Sequence, residues 1–222
     1  HGSLLPALRG ATPVEGALAL GLAETGVTLQ QVVRRLDAGP IHAAVRASLR
    51  PGEGRAALRA RLGVLAGEMA PGALSAVLAG TSVAVPQDEA KATFARRLAR
   101  TDAPLDFRQP AAVLRQRILA LEGWPGSTFD HRTALIKVGA ATAEDAAAAI
   151  APGTIVAADR AGIRIACGQG VLNVTHLQRP GGKMLPAGEF LAGYPLAVGE
   201  VLASAEMPAF VSDRPFPRAP KA

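Results

Sequence analysis

A single cysteine, Cys167, is all the chain carries, and that excludes an internal disulfide framework. The scarcity suits a reducing compartment, so a cytoplasmic protein is expected. Aromatic residues are only 4% of the sequence, so the core has to rest on Leu, Val, Ala and Ile. No uninterrupted apolar run reaches the roughly 18 residues that mark a spanning helix, and no membrane partner is expected. The first residues lack the basic start and the apolar stretch of a targeting segment. No Cys/His cluster has metal-ligand spacing, so no metal is expected. A Gly-Lys-[Ser/Thr] phosphate loop and a Gly-x-Ser-x-Gly elbow are both missing. Gly168-Gln169-Gly170 reads as a turn, and the chain has no internal repeat.

What is present bounds the class. The 222 residues are 49% hydrophobic, enough for one large domain or two small ones with a real core. A net charge of +6 draws the chain toward anionic partners, nucleic acid among them, and serves plain solubility equally well.

Residues 1–13, punctuated by Gly and Pro, read as a loop. Thr12-Pro13 then opens a short helix through Ala17 and Leu20. Residues 25–33 suit a strand, RRLDAG a turn, and 40–49 alternate with period two as a second strand. Leu58, Leu62, Leu65, Met69, Leu74, Val77 and Leu78 recur at helical steps over 54–79, with Pro71-Gly72 expected to kink or break the helix. Residues 80–91 look like a linker. A helix is expected over 110–121. Five short strand-like runs follow (STFDH, TALIKVGA, GTIVAAD, GIRIACG and GVLNVTHL), and their spacing points to a small antiparallel barrel. A last helix is expected over 187–192, and the Pro-rich stretch from Pro208 onward reads as poorly ordered. The first part, with two strands and two helices, would leave a sheet edge and a helix face bare, so further structure is expected beside it.

Four histidines occur. His42, His131 and His176 sit in a strand, a probable hairpin turn and a strand end, where structural or solvated roles suffice. His1 stands beside a small residue and an apolar pair ending in proline. Asp37 lies in the turn between two strands. It reads either as a turn-former bonded to its own backbone or as a carboxylate that fixes the tautomer of an imidazole.

The run HGSLLP…RGATPVEGAL…ETGVTL…RRLDAGPI resembles the central motif block of the folate-dependent formyltransferases, with Asp37 standing 36 positions after His1. LEGWPG (121–126), PGTIV (152–156) and VLNVTHLQRPGGKML (171–185) are similar to the C-terminal domain of the branch that formylates methionyl-tRNA. The resemblance runs from residue 1 to about residue 203. It implies an α/β fold class: the C-terminal half of a Rossmann-like formyltransferase domain, followed by an OB-like five-stranded β-barrel domain. The domains implied are a catalytic part at 1–84, a basic linker at 85–100, an OB-like tRNA-binding domain at 101–206 and a Pro-rich tail at 207–222.

The resemblance implies transfer of a formyl group from 10-formyltetrahydrofolate to the α-amine of methionyl initiator tRNA by a monomer. His1 and Asp37 take the places of the catalytic His and Asp, while Ser3, Leu4, Leu5 and Pro6 lie against the folate. An Asn two residues before the His completes the family's trio, so a chain starting at His1 is expected to lack it together with the domain's N-terminal half, and to transfer little by itself. Seven basic residues fall between Lys91 and Arg117 (Lys91, Arg96, Arg97, Arg100, Arg108, Arg115 and Arg117). They read as a solvated face or as phosphate contacts. With a tRNA acceptor, Lys91, Arg96, Arg97, Arg100, Arg115 and Lys183 are the expected tRNA contacts, with Arg179 beside the last. Two other functions fit the same motifs: a formyltransferase acting on an amino-sugar nucleotide, and a module that only binds tRNA.

Overall fold

The computed structural model describes residues 1–145 and 150–217. The chain divides into two compact units, one of residues 1–98 with 209–222 and one of residues 99–208.

The first unit begins with a loop leading to β1 (Arg9–Gly10) and α1 (Pro13–Ala19). Pro13 opens that helix, where its missing N–H costs nothing. β2 (Glu24–Gln30) and β3 (Ile41–Ser48) form an antiparallel ribbon, and α2 (Arg55–Leu78) packs against it. β4 (Phe94–Ala95) pairs parallel with β1. The doubly wound parallel sheet of a Rossmann-like domain is not found among the described residues. Helix α2 runs on through Pro71, where a kink or break was expected, and does not break there. Its apolar stripe is also less used than its period implies. Leu58 and Leu62 are buried, whereas Leu74 and Leu78 lie exposed. The segment read as a linker therefore belongs, up to Leu98, to this unit.

The second unit carries α3 (Ala111–Ala120), β5 (Ser127–His131), β6 (Ala134–Glu144), β7 (Ile155–Asp159), β8 (Gly162–Ala166), β9 (Val171–Gln178), β10 (Leu185–Pro186) and α4 (Ala187–Gly193). The five expected strands are all present, in the order β5-β6-β9-β8-β7, with β10 added on β9. They do not close into the expected barrel by pairing β5 with β7 among the described residues. Irregular backbone occupies both edges instead. Thr128 exchanges bonds with Ala103 and Leu105, and Ile155 with Gly199 and Glu200. The core holds Leu105, Phe107, Leu114, Ile118, Phe129, Ile136, Ile163 and Leu172. Cys167 is buried here, and desolvation pushes its thiol up to about 11.

The tail was expected to be loose. In the structure β11 (Val211–Ser212) pairs antiparallel with β4, giving the first unit a mixed sheet of order β1-β4-β11. Val211 packs on the cluster of Leu8, Ala17 and Ala95.

Candidate active site

The loop before β1 is tied to β2 through one residue. The backbone nitrogen of His1 donates to Thr28 O (2.8 Å), and Thr28 N returns a bond to the His1 carbonyl (2.9 Å). The Thr28 hydroxyl donates to Ser3 O (2.7 Å) and accepts from Leu5 N (3.1 Å). Thr28 is buried and holds three residues of the loop at once. Its β-strand alternation gave no sign of that task.

His1 lies between two oxygens. Ser3 Oγ is 3.0 Å from Nδ1 and 2.5 Å from the Ala7 carbonyl oxygen. A carbonyl only accepts, so the one hydroxyl proton goes to Ala7, and Ser3 Oγ must accept from Nδ1–H. Nε2 then faces Asp37 Oδ2 at 3.3 Å; it is buried and makes no hydrogen bond among the described residues. With Nδ1 protonated, a neutral imidazole presents the Nε2 lone pair, and a second proton there is met by the carboxylate. Ser3 is itself buried, so its hydroxyl serves His1. Leu5 is buried as well, and Leu4 and Pro6 are half-buried.

Asp37 sits in the left-handed region at φ 48°. Its Oδ2 accepts from Gly10 N (2.8 Å) and its Oδ1 from Gln30 Nε2 (3.1 Å). Gly10, at φ 120°, runs so close to β4 that a Cβ there would collide with the Ala95 carbonyl. Gln30 and Gln87 are site residues the sequence reading missed, because a polar residue at a strand end or in a polar segment carries no periodic signal.

Two cavities meet at this loop. One of about 430 Å³ is lined by Gln30, Gln31, Val32, Val33, Arg34, Leu36, Asp37 and Ala38. The other, of about 360 Å³, is lined by five arginines (Arg9, Arg34, Arg35, Arg96, Arg97) with Gly10, Phe94 and Phe216 among its other walls. Arg34 and Leu36 border both. Volumes of this order suit small-molecule groups.

The expected tRNA contacts divide by what they already do. Lys91 is exposed and pairs with Asp88 (3.1 Å). Arg96 donates to the Ala209 carbonyl (3.1 Å) and lies 5.8 Å over the Phe216 ring. Arg97, Arg100 and Lys183 are exposed, and Arg115 is half-buried. Two further members of the basic run, neither of them an expected tRNA contact, are also engaged internally. Arg108 pairs with Asp106 at 2.7 Å and holds its carboxyl below the ordinary value, while buried Arg117 donates to Asp102 O at 2.9 Å. Arg179 donates to the Gly193 carbonyl (3.2 Å). Among the described residues no group of His, Cys, Asp and Glu has the makings of a metal site, and no helix is long and apolar enough to cross a membrane.

Residues 1–74 match a family model described as "Formyl transferase", and residues 97–195 one described as "Formyl transferase, C-terminal domain". Methionyl-tRNA formyltransferase of Burkholderia thailandensis is 43% identical over 201 residues, 90% of this chain and 61% of that protein. The Burkholderia pseudomallei protein of the same name is 42% identical over 207 residues, 93% of this chain and 63% of its own. The chain thus spans a little over three-fifths of the length of these curated relatives. Among solved structures, HypX from Aquifex aeolicus aligns with TM-score 0.65 at 20% identity, covering 90% of this chain and 35% of that one. The N-formyltransferase from Helicobacter canadensis, in complex with folinic acid and dTDP-3-aminofucose, aligns with TM-score 0.63 at 13% identity, covering 78% and 64%. At such identities the structural likeness bears on the fold alone.

Proposed function

The chain belongs to the formyl transferase family, and from that premise we propose that it serves the transfer of a formyl group from 10-formyltetrahydrofolate to the α-amine of methionyl initiator tRNA. The observation that carries the reading is the His1–Asp37 pair, with the buried Nε2 of His1 left without a hydrogen bond. The name borne by the curated relatives supports the tRNA acceptor.

The cavity over residues 30–38 sets two valines beside the Asp37 carboxylate, a lining that fits a flat, polar-edged ring. Of Ser3, Leu4, Leu5 and Pro6, it is Leu4 and Pro6 that keep surface for the folate. When bound, 10-formyltetrahydrofolate supplies the formyl group and leaves as tetrahydrofolate. The residues of this chain manage the proton. As the amine nitrogen bonds to the formyl carbon, His1 Nε2 takes the proton the amine sheds. Asp37 stabilises the resulting imidazolium, and Ser3 keeps the ring from turning. The imidazolium's positive charge also offsets the negative charge that builds on the formyl oxygen. It then returns its proton to the departing nitrogen, so the pair ends as it began.

The arginine-lined cavity supports an acceptor that carries phosphates. We read the second unit as an OB-like tRNA-binding module with Arg100, Arg115 and Lys183 as phosphate contacts. Lys91, Arg96 and Arg97 do the same from the first.

The test is formyl transfer by the full product of the gene, with methionyl initiator tRNA set against an amino-sugar nucleotide. Asp37→Ala should lower kcat by about a hundredfold or more, the scale of general acid–base catalysis. Transfer to the sugar nucleotide alone would replace the acceptor, and an unimpaired Asp37→Ala protein would remove the mechanism.

A further inference from the structure

We propose that Gln87 is a positioning residue for Asp37, holding the backbone of the 34–39 loop so that the carboxylate meets His1. The inference rests on the reading of Asp37 as a catalytic residue. Asp37 adopts a left-handed backbone at φ 48°, a conformation uncommon outside glycine although Asp tolerates it better than most residues. Gln87 ties that backbone down. Its Nε2 donates to the Asp37 carbonyl (2.9 Å) and to the Gly39 carbonyl (2.7 Å), the two short bonds, with Gln30 Oε1 farther off at 3.4 Å.

The amide is fixed from its other side. Gln87 Oε1 accepts from Arg9 Nε (3.1 Å) and Nη2 (2.8 Å). Were the amide turned over, its oxygen would face two carbonyls and its NH₂ a guanidinium, so one orientation alone is satisfied. Arg9 is 1% exposed. Its outer edge binds Glu89 in a fork (3.0 and 2.9 Å), and Glu89 also accepts from Arg35 of the same loop (2.6 Å).

Adjacent residues of β1 therefore hold both ends of Asp37. Gly10 N–H binds the carboxylate, while the Arg9 side chain, through Gln87, binds the carbonyl. The aim of the carboxylate at His1 depends on the two together. Gln87 makes no hydrogen bond to His1 or to the carboxylate; it acts through Asp37's backbone and, by its longer contact with Gln30, through the side chain that donates to Asp37 Oδ1.

Gln87→Glu separates this role from folding. The variant keeps an acceptor for Arg9 and removes both donors to the loop. In the full product of the gene, kcat should fall at least about tenfold while KM for folate and tRNA stays within about threefold, the split left when an interaction made in the transition state is lost. In an Asp37→Ala background, measured in single turnovers, the same change should cost nothing further. Wild-type kcat in Gln87→Glu beside an impaired Asp37→Ala overturns this inference alone. An equal fold loss in the Asp37→Ala background also overturns it, because Gln87 would then act elsewhere. An unimpaired Asp37→Ala overturns it together with the reading of the site. If Gln87→Glu proves unstable, Gln87→Asn, one methylene shorter with its amide intact, is held to the same split and the same background test.

Discussion

Ser3 shows how much one hydroxyl proton decides. The Ala7 carbonyl claims it, so the imidazole must donate from Nδ1, and Nε2 is turned toward Asp37, the nitrogen that the proposed mechanism uses. Ser3→Ala removes that instruction, and the neutral ring is then free to place its proton on Nε2 and donate to Asp37. The expected outcome is a shift of His1 toward the Nε2–H tautomer in ¹⁵N spectra. With it should come a fall in kcat of about ten- to a hundredfold, the lower range for a displaced proton carrier. An unchanged tautomer in the variant would show that Ser3 is a passive neighbour. At this scale the sequence was legible only where a motif spoke. His1 and Asp37 were found through HGSLLP and LDAGP, and they stand 3.3 Å apart. The same motif set Ser3 against the folate, whereas its side chain turns inward to His1. Thr28, Gln30 and Gln87 escaped because their importance comes from which backbone groups they meet across the fold, and no local pattern encodes that.

At the scale of elements, period and turn signals located every long strand and helix, and they failed where burial was inferred from period alone. Leu74 and Leu78 continue the stripe of α2, yet they lie exposed. Five strands at short spacing suggested a closed barrel; the backbone of 103–105 and 199–202 takes the edges that closure would have used. One of these edge segments carries a titratable clasp. His131 meets Tyr194 through Nδ1 (2.9 Å) and Glu200 through Nε2 (3.0 Å), and Arg132 reaches the other Glu200 oxygen (3.0 Å). The Ala197 backbone N–H, then Arg132 and His131, hold the Glu200 carboxyl down to about 2 from 4.5. A carboxylate with a lowered folded value stabilises the fold fully above its unfolded value. That contribution fades as pH falls from about 4.5 toward 2. Glu200→Gln should therefore flatten the loss of thermal stability of residues 99–208 across that window, read by circular dichroism melts at several pH values. An identical pH slope in the variant would assign the acid sensitivity to other groups.

At the scale of the whole molecule, the charge of +6 gains a purpose if tRNA is the acceptor. Binding should then weaken steeply with salt, as released counterions require. Arg97→Ala, Arg100→Ala and Lys183→Ala should each lower the slope of log K against log salt by about one where the residue meets a phosphate. Arg108→Ala, which loses a side chain already paired with Asp106, should leave the slope nearly unchanged, a contrast read by filter binding to initiator tRNA. Equal effects from all four would mean a diffuse field with no particular contacts. The return of the tail to the first unit was not legible, because a short Pro-flanked run such as Val211–Ser212 has no pattern long enough to mark it as a strand. That return sets an order of events during synthesis. β4 leaves the ribosome well before its partner β11, with residues 99–208 made in between. The second unit can close while the first still waits for a strand, and β4 gains its second neighbour only when translation has passed Ser212.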